Sequence, residues 1–150
     1  MILALATQAY ATLAVEALDP AALAVLSDAT AFGDVVEVHS VFTGTLIWTV
    51  ATLDLVDTNE FAEVWIPGGC VGGLCLTISG APSVVRGERV FVFLRDQRPA
   101  SLGQGLFHVT GDEAVRDVSG LSFLDGERPA TSFALAELRG AVPRVRVPRK

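Results

Sequence analysis

Two cysteines, two histidines and two tryptophans are the residues of this chain whose chemistry could exceed packing. Cys70 and Cys75 bracket Gly72-Gly73 in the run Trp65 to Leu94, which reads WIPGGCVGGLCLTISGAPSVVRGERVFVFL. Glycine pairs supply the positive φ angles that tight hairpins require. The spacing therefore predicts a tight hairpin or bulged ribbon with a thiol on each side of the turn. Three states are open to the thiols: a disulfide, worth about 2 kcal/mol for so short a loop; two free structural thiols; or half of a metal site. Zinc needs four ligands, usually at short spacing, and neither His39 nor His108 is near the cysteines in sequence. The disulfide is the expected state, and no metal or other cofactor is expected.

His39 and His108 could pair with acids as general bases. Each lies in or beside a strand-like apolar run, where a satisfied structural histidine is the commoner outcome. No G-x-S-x-G, H-E-x-x-H or C-x-x-C motif occurs. Ser79 and Ser83 flank a turn rather than a strand-to-helix elbow. The glycine pairs at 68–69 and 72–73 do not make a phosphate loop, because the single lysine of the chain is Lys150. Asp54, Asp57, Glu60 and Glu63 form an acidic edge without EF-hand spacing, so a solvated rim is expected there. No catalytic residue is assigned. Trp48 and Trp65 are the candidate binding surface: with Ile47 facing inward, Trp48 points to the other side of its strand.

The elements that must position these residues are mostly short strands. Asp19-Pro20 opens a helix, with Asp as N-cap and Pro at the first helical position, and Ser27-Asp28 ends it. From Ala29 the period becomes two: Thr30, Phe32, Asp34, Val36 and Val38 on one face, Ala31, Gly33, Val35 and Glu37 on the other. Thr43-Gly44 is a turn. Leu46 to Leu55 is the clearest strand, and Glu63 to Ile66 a short one. Arg89 to Leu94 reads as a buried strand, Arg95 to Ser101 as a polar loop, Gly105 to Val109 as a strand, and Ala114 to Val118 as a weak one. Ala130 to Arg139 is expected to be helical, capped by Thr131 or Ser132 and stopped by Gly140.

Composition sets the limits. At 150 residues, 51% hydrophobic and 19% charged, the chain has the apolar content for one packed domain and argues against disorder. No apolar run approaches the ~20 residues of a membrane helix. Residues 1–85 hold nine acidic residues and no Lys or Arg, which disfavours phosphate contact and hence nucleic-acid binding. Basic residues gather at the end, in Arg139, Arg144, Arg146, Arg149 and Lys150. The apolar start runs into Ala9-Tyr10-Ala11, an A-x-A pattern like the end of a secretory signal, although no positive residue precedes it. Either a start further upstream or an ordinary helix accounts for that.

The order of turns is informative: Ser27-Asp28-Ala29, then Pro67-Gly68-Gly69 with Val71-Gly72-Gly73, then Ser79-Gly80-Ala81-Pro82, then Gly87-Glu88-Arg89-Val90 with Phe93-Leu94, then Gly103-Gln104-Gly105 before Phe107. From Asp28 to Val109 this resembles a group of bacterial exported proteins in which an OB-like barrel follows a signal peptide. The architecture is also similar to the netrin-like barrel of tissue metalloproteinase inhibitors. Those inhibitors chelate the protease zinc through an N-terminal cysteine, and here no cysteine precedes Cys70.

The expected fold is mainly β, an OB-like small barrel with short flanking helices at the N- and C-terminal ends. Residues 1–11 are read as a signal remnant, 12–140 as one barrel domain and 141–150 as a basic extended tail. The expected role is non-catalytic: a secreted or cell-envelope domain that binds a protein partner. An inhibitor-like or protease-associated module and a small hydrolase with an unrecognised site are the alternatives.

Overall fold

The structure, a computed structural model, describes residues 14–124, 126 and 128–141. The expected signal remnant at 1–11 and the tail from 142 onward lie outside the described residues.

The chain opens with β1 (Ala14–Val15) and α1 (Pro20–Leu26). The Asp19 carboxylate caps α1 by accepting the Ala22 N–H at 2.8 Å, which satisfies one of the free donors of the first turn. Ser27 closes the helix by donating its hydroxyl to the Leu23 carbonyl. Then come β2 (Ala29–Phe42), β3 (Ile47–Leu55), β4 (Phe61–Pro67), β5 (Gly69–Val71) and β6 (Leu74–Leu76). The second half carries β7 (Arg89–Arg95), β8 (Arg98–Pro99), a 3-10 turn (Leu102–Gln104), β9 (Leu106–Thr110) and β10 (Glu113–Val115). It ends with β11 (Ser122–Phe123), β12 (Ser132–Ala134) and α2 (Leu135–Gly140).

The mainly β class is as expected. The main sheet runs β12-β10-β9-β7-β2-β3-β4, with β8 paired to the end of β7. Its pairings are antiparallel. Among the described residues no sheet closes into a barrel: the path ends at β4 on one side and β12 on the other. One main-chain bond spans the gap on the β4 side, from the Trp65 N–H to the Gln97 carbonyl at 2.8 Å.

β7 explains how one sheet serves two cores. Its run Val90 to Leu94 is buried throughout. Val90, Val92 and Leu94 pack with Ala31, Val35, Leu53 and Ile66; Phe91 and Phe93 face the other way, onto Leu23, Phe107 and Leu138. A strand covered on both faces has no polar alternation, which is why this stretch reads as unbroken apolar residues. The second core is where both helices bury their apolar sides, Leu23 of α1 and Leu138 of α2.

One expectation about alternation, one about a loop and one about the C-terminal region need correction. In β2 the register against β3 slips between Val35 and Glu37, so Val36 is an extra, bulged residue. The bulge exchanges the faces beyond it: Glu37 is exposed, and Val38 packs on the first core. The stretch Arg95 to Ser101 is not a plain loop, because Arg95 pairs with Arg98 and Leu94 with Pro99 across a two-residue turn. Ala130 to Arg139 is helical only from Leu135; Ser132–Ala134 pairs with β10 instead. The N-cap position is Ala134, with no side-chain cap, so the Thr131 or Ser132 cap is not formed.

Candidate functional site

The cysteine ribbon forms as its glycines demand. Gly72 and Gly73 have φ +57° and +82°, the two left-handed positions of a type I′ turn. The turn sets Cys70 directly opposite Cys75, and the two are joined by a disulfide. Both cysteines are exposed, as is Leu74 beside the turn. The ribbon's base is held close to the main sheet: a Cβ on Gly69 would meet the Ser40 hydroxyl oxygen at 2.7 Å and that of Thr49 at 2.8 Å.

Trp48 and Trp65 come together on the face of β3 and β4 opposite the first core. Trp48 pairs with Pro67 and Val50 with Trp65, so the two rings are diagonal neighbours. Their centroids are 6.2 Å apart in an edge-to-face arrangement, the geometry the ring quadrupoles favour. Both residues are half-buried. Arg98 places its guanidinium carbon 5.3 Å from the Trp48 centroid, and the Trp65 indole N–H donates to Glu63 at 3.2 Å. Trp48, Pro67, Arg95, Asp96, Arg98 and Leu102 line a cleft of about 450 Å³.

The histidines separate. His39 is exposed on β2, 3.6 Å from the Glu37 carboxylate. His108 is half-buried on β9, and its Nδ1 hydrogen-bonds Glu88. The other Glu88 oxygen accepts the Val85 N–H, so one carboxylate ties the loop before β7 to β9. His108 opens onto a cleft of about 170 Å³ that it shares with Ser83, Asp117 and Ser119. Ser119 holds the Asp117 carboxyl below the usual carboxylate range through its hydroxyl and its main-chain N–H. No hydroxyl hydrogen-bonds to His108 among the described residues. Ser79 donates its hydroxyl to the Gly120 carbonyl instead.

No family model, no curated protein and no solved structure matches this chain. The geometry of its own residues is therefore the ground for any functional reading.

Three arrangements were outside the reach of sequence reasoning. Arg116 is 2% exposed and donates to the carbonyls of Leu18, Gln104 and Ala130. It also lies over the rings of Phe107 and Phe133. Burial lowers its pKa to about 10. Phe32 has two guanidiniums over its ring, those of Arg89 and Arg139, each held by a carboxylate: Asp34 for the first, Asp57 for the second. The Arg95-Arg98 hairpin completes the set. An Asp-Gln turn lacks the Asn-Gly or Gly-Gly signal that betrays a two-residue hairpin, and isolated arginines carry no spacing signal at all.

Among the described residues, no group of three or more His, Cys, Asp or Glu is placed to hold a metal ion, and no helix is long and apolar enough to cross a membrane.

Proposed function

We propose that this protein is a non-catalytic, exported β domain that binds a protein partner through the surface around Trp48 and Trp65. The observation that carries the reading is the meeting of Trp48 and Arg98 at one solvent-facing cleft, with the Trp65 ring packed edge-to-face against Trp48 beside it. Tryptophan and arginine are the residue types that most often dominate binding energy at protein interfaces. The fold is read as an OB-like barrel left open between β4 and the β7–β8 hairpin, a reading supported by the single Trp65–Gln97 bond across that gap. Export is supported by the disulfide, since such bonds persist in oxidising compartments. Labelling of both Cys70 and Cys75 on native protein without reductant would remove that support.

The experiment is selection of binders from a random peptide display library on the folded protein. Selected peptides are expected to lose about tenfold or more in affinity on Trp48→Ala, or about 1.4 kcal/mol, with the melting transition retained. Binders indifferent to both Trp48→Ala and Trp65→Ala would sink the reading.

A second reading, a small hydrolase, is favoured by one observation: a carboxylate orients His108 at the mouth of a polar cleft. A carboxylate on Nδ1 is the usual way to present Nε2 as a base. It predicts turnover that vanishes in His108→Ala. A broad ester, amide and glycoside screen with no turnover in the parent protein discards it.

A further inference from the structure

We infer that the cleft beside Trp48 is a carboxylate site for an extended acidic segment of the protein partner, with Arg95 and Arg98 as its two cationic arms. This rests on the binding reading above and adds the chemistry of what is bound.

The β7–β8 hairpin carries an unbalanced charge pair. Arg95 and Arg98 are direct cross-strand partners on the β7–β8 hairpin, and like charges directly opposite one another destabilise a ribbon. Arg89 and Arg139 each have a carboxylate within 2.8 Å. Arg95 and Arg98 have none within ion-pair distance among the described residues. Asp28 is close to the turn, but its carboxylate accepts the Asp96 main-chain N–H. In a chain of net charge −6, a carboxylate partner for these two arginines would be easy to supply from within. Arg98 is partly compensated by the Trp48 ring, which also fixes its position and leaves its fork for an outside anion. Paired guanidiniums suit a carboxylate because their N–H groups match its two oxygens.

The backbone around the cleft is strained. The described residues other than glycine with positive φ are Asp96, Gln97, Ser101 and Leu102, at 50°, 64°, 53° and 54°. Three of them line this cleft, and Gln97 sits between two lining residues. Left-handed backbone at side-chain-bearing residues is unfavourable and collects at binding sites, where the fold holds it in place. The Gly72-Gly73 turn shows that this chain uses glycine where only the turn matters.

The neighbouring sheet edge selects a polypeptide. β4 is the last strand of its sheet. The Trp65 N–H faces away from β3, toward Gln97, so the main-chain groups of Phe61 and Glu63, at the same strand parity, face the same open side. An extended peptide can pair with that edge as an added strand; a sugar cannot. Phe61 is 67% exposed on the same face as Trp65 and supplies apolar contact along the way.

The test uses the full chain and four labelled decapeptides followed by fluorescence anisotropy at low and high salt. One alternates Glu and Val with blocked ends; the second and third replace Glu by Gln and by Lys; the fourth is the Gln peptide with a free C-terminus. The Glu peptide is expected to bind at least about tenfold tighter than the blocked Gln peptide, and to lose that advantage at high salt and in Arg95→Gln/Arg98→Gln. If the free-ended Gln peptide matches it, the carboxylate recognised is a C-terminus; if not, it is a side chain. Equal binding of Glu, Gln and Lys peptides, lost on Trp48→Ala, overturns the carboxylate site and leaves the binding face standing. No peptide binding at all, with Trp48→Ala without effect on any selected binder, overturns both. Binding of a uronate oligosaccharide that needs both arginines, with no peptide binding, reassigns the site to a glycan and overturns the peptide. The two arginines are exposed, so the double variant is expected to melt as the parent does.

Discussion

The main-chain N–H of Trp65 donates to the carbonyl of Gln97 at 2.8 Å, and this one bond ties the outer strand of the sheet to the tip of the β7–β8 hairpin. It divides β4 into a covered half and an open half. Amide exchange should show the division directly. The Trp65 amide is expected to be protected, and those of Phe61 and Glu63, on the same side of the strand, to exchange much faster. Equal protection at all three would mean that the edge is covered and would remove the polypeptide argument above.

The strain at the hairpin tip is measurable as stability. Gln97→Gly relieves a left-handed backbone of its side chain, and should stabilise the fold by about 1 kcal/mol, raising Tm by roughly 2–4 °C. Gly73→Ala, in the same kind of turn, should shift stability by about as much in the opposite direction. Urea unfolding of both variants checks the pair.

Arg116 carries a different weight from the surface arginines. Arg116→Ala leaves three main-chain carbonyls without their donors and two aromatic rings without their cover. A loss of about 3–5 kcal/mol is expected. Arg116→Lys should recover little of it, since one ammonium cannot reach three carbonyls set around a planar fork. Arg89→Ala, at an exposed pair, should cost about 1 kcal/mol or less. Chemical denaturation of the three variants would test the ranking.

The Asp34–Arg89 pair adds a pH dependence. The Arg89 guanidinium, through its hydrogen bonds and its charge, holds the Asp34 carboxyl below its usual value of 3.8. The folded state therefore keeps its proton off when the unfolded state has taken one up. That contribution is fully present above the unfolded pKa and is lost as pH falls through the folded one. Asp34→Asn should flatten the acid limb of the stability curve below about pH 4 while leaving its slope near neutrality unchanged. An acid limb identical to the parent's would remove this pair from the account.

Much of the fold was legible because its signals are local. The Asp19-Pro20 start, the Gly72-Gly73 hairpin, the apolar run of β7 and the inward Ile47 face of β3 each follow from one residue type at one position. The cysteine pairing and the outward side of Trp48 came with them. What escaped depends on partners far along the chain. The bulge at Val36 exists only as a register slip against β3. The short strand Ser132–Ala134 has helix-like neighbours and is set by pairing with Glu113–Val115. The arginines of the cleft were invisible because Asp96-Gln97 adopts a glycine's conformation without a glycine, and Leu102 reaches the site through a turn that no apolar pattern marks.

The fourteen-residue strand β2 divides its length between two neighbours, Ala29 to Asp34 on β7 and Gly33 to Phe42 on β3. The β2–β3–β4 meander is contiguous in sequence and closes through short turns. The β2–β7 seam joins residues 55 apart, as at Asp34 and Arg89. Loop-closure entropy then orders the assembly in time: the meander is expected to form first and offer β2 as a template on which β7 docks late. Kinetic φ-values should be high for Val50→Ala and low for Val92→Ala. On that schedule the rim of the Trp48 cleft contributed by β7 and β8 is completed only in the last stage of folding.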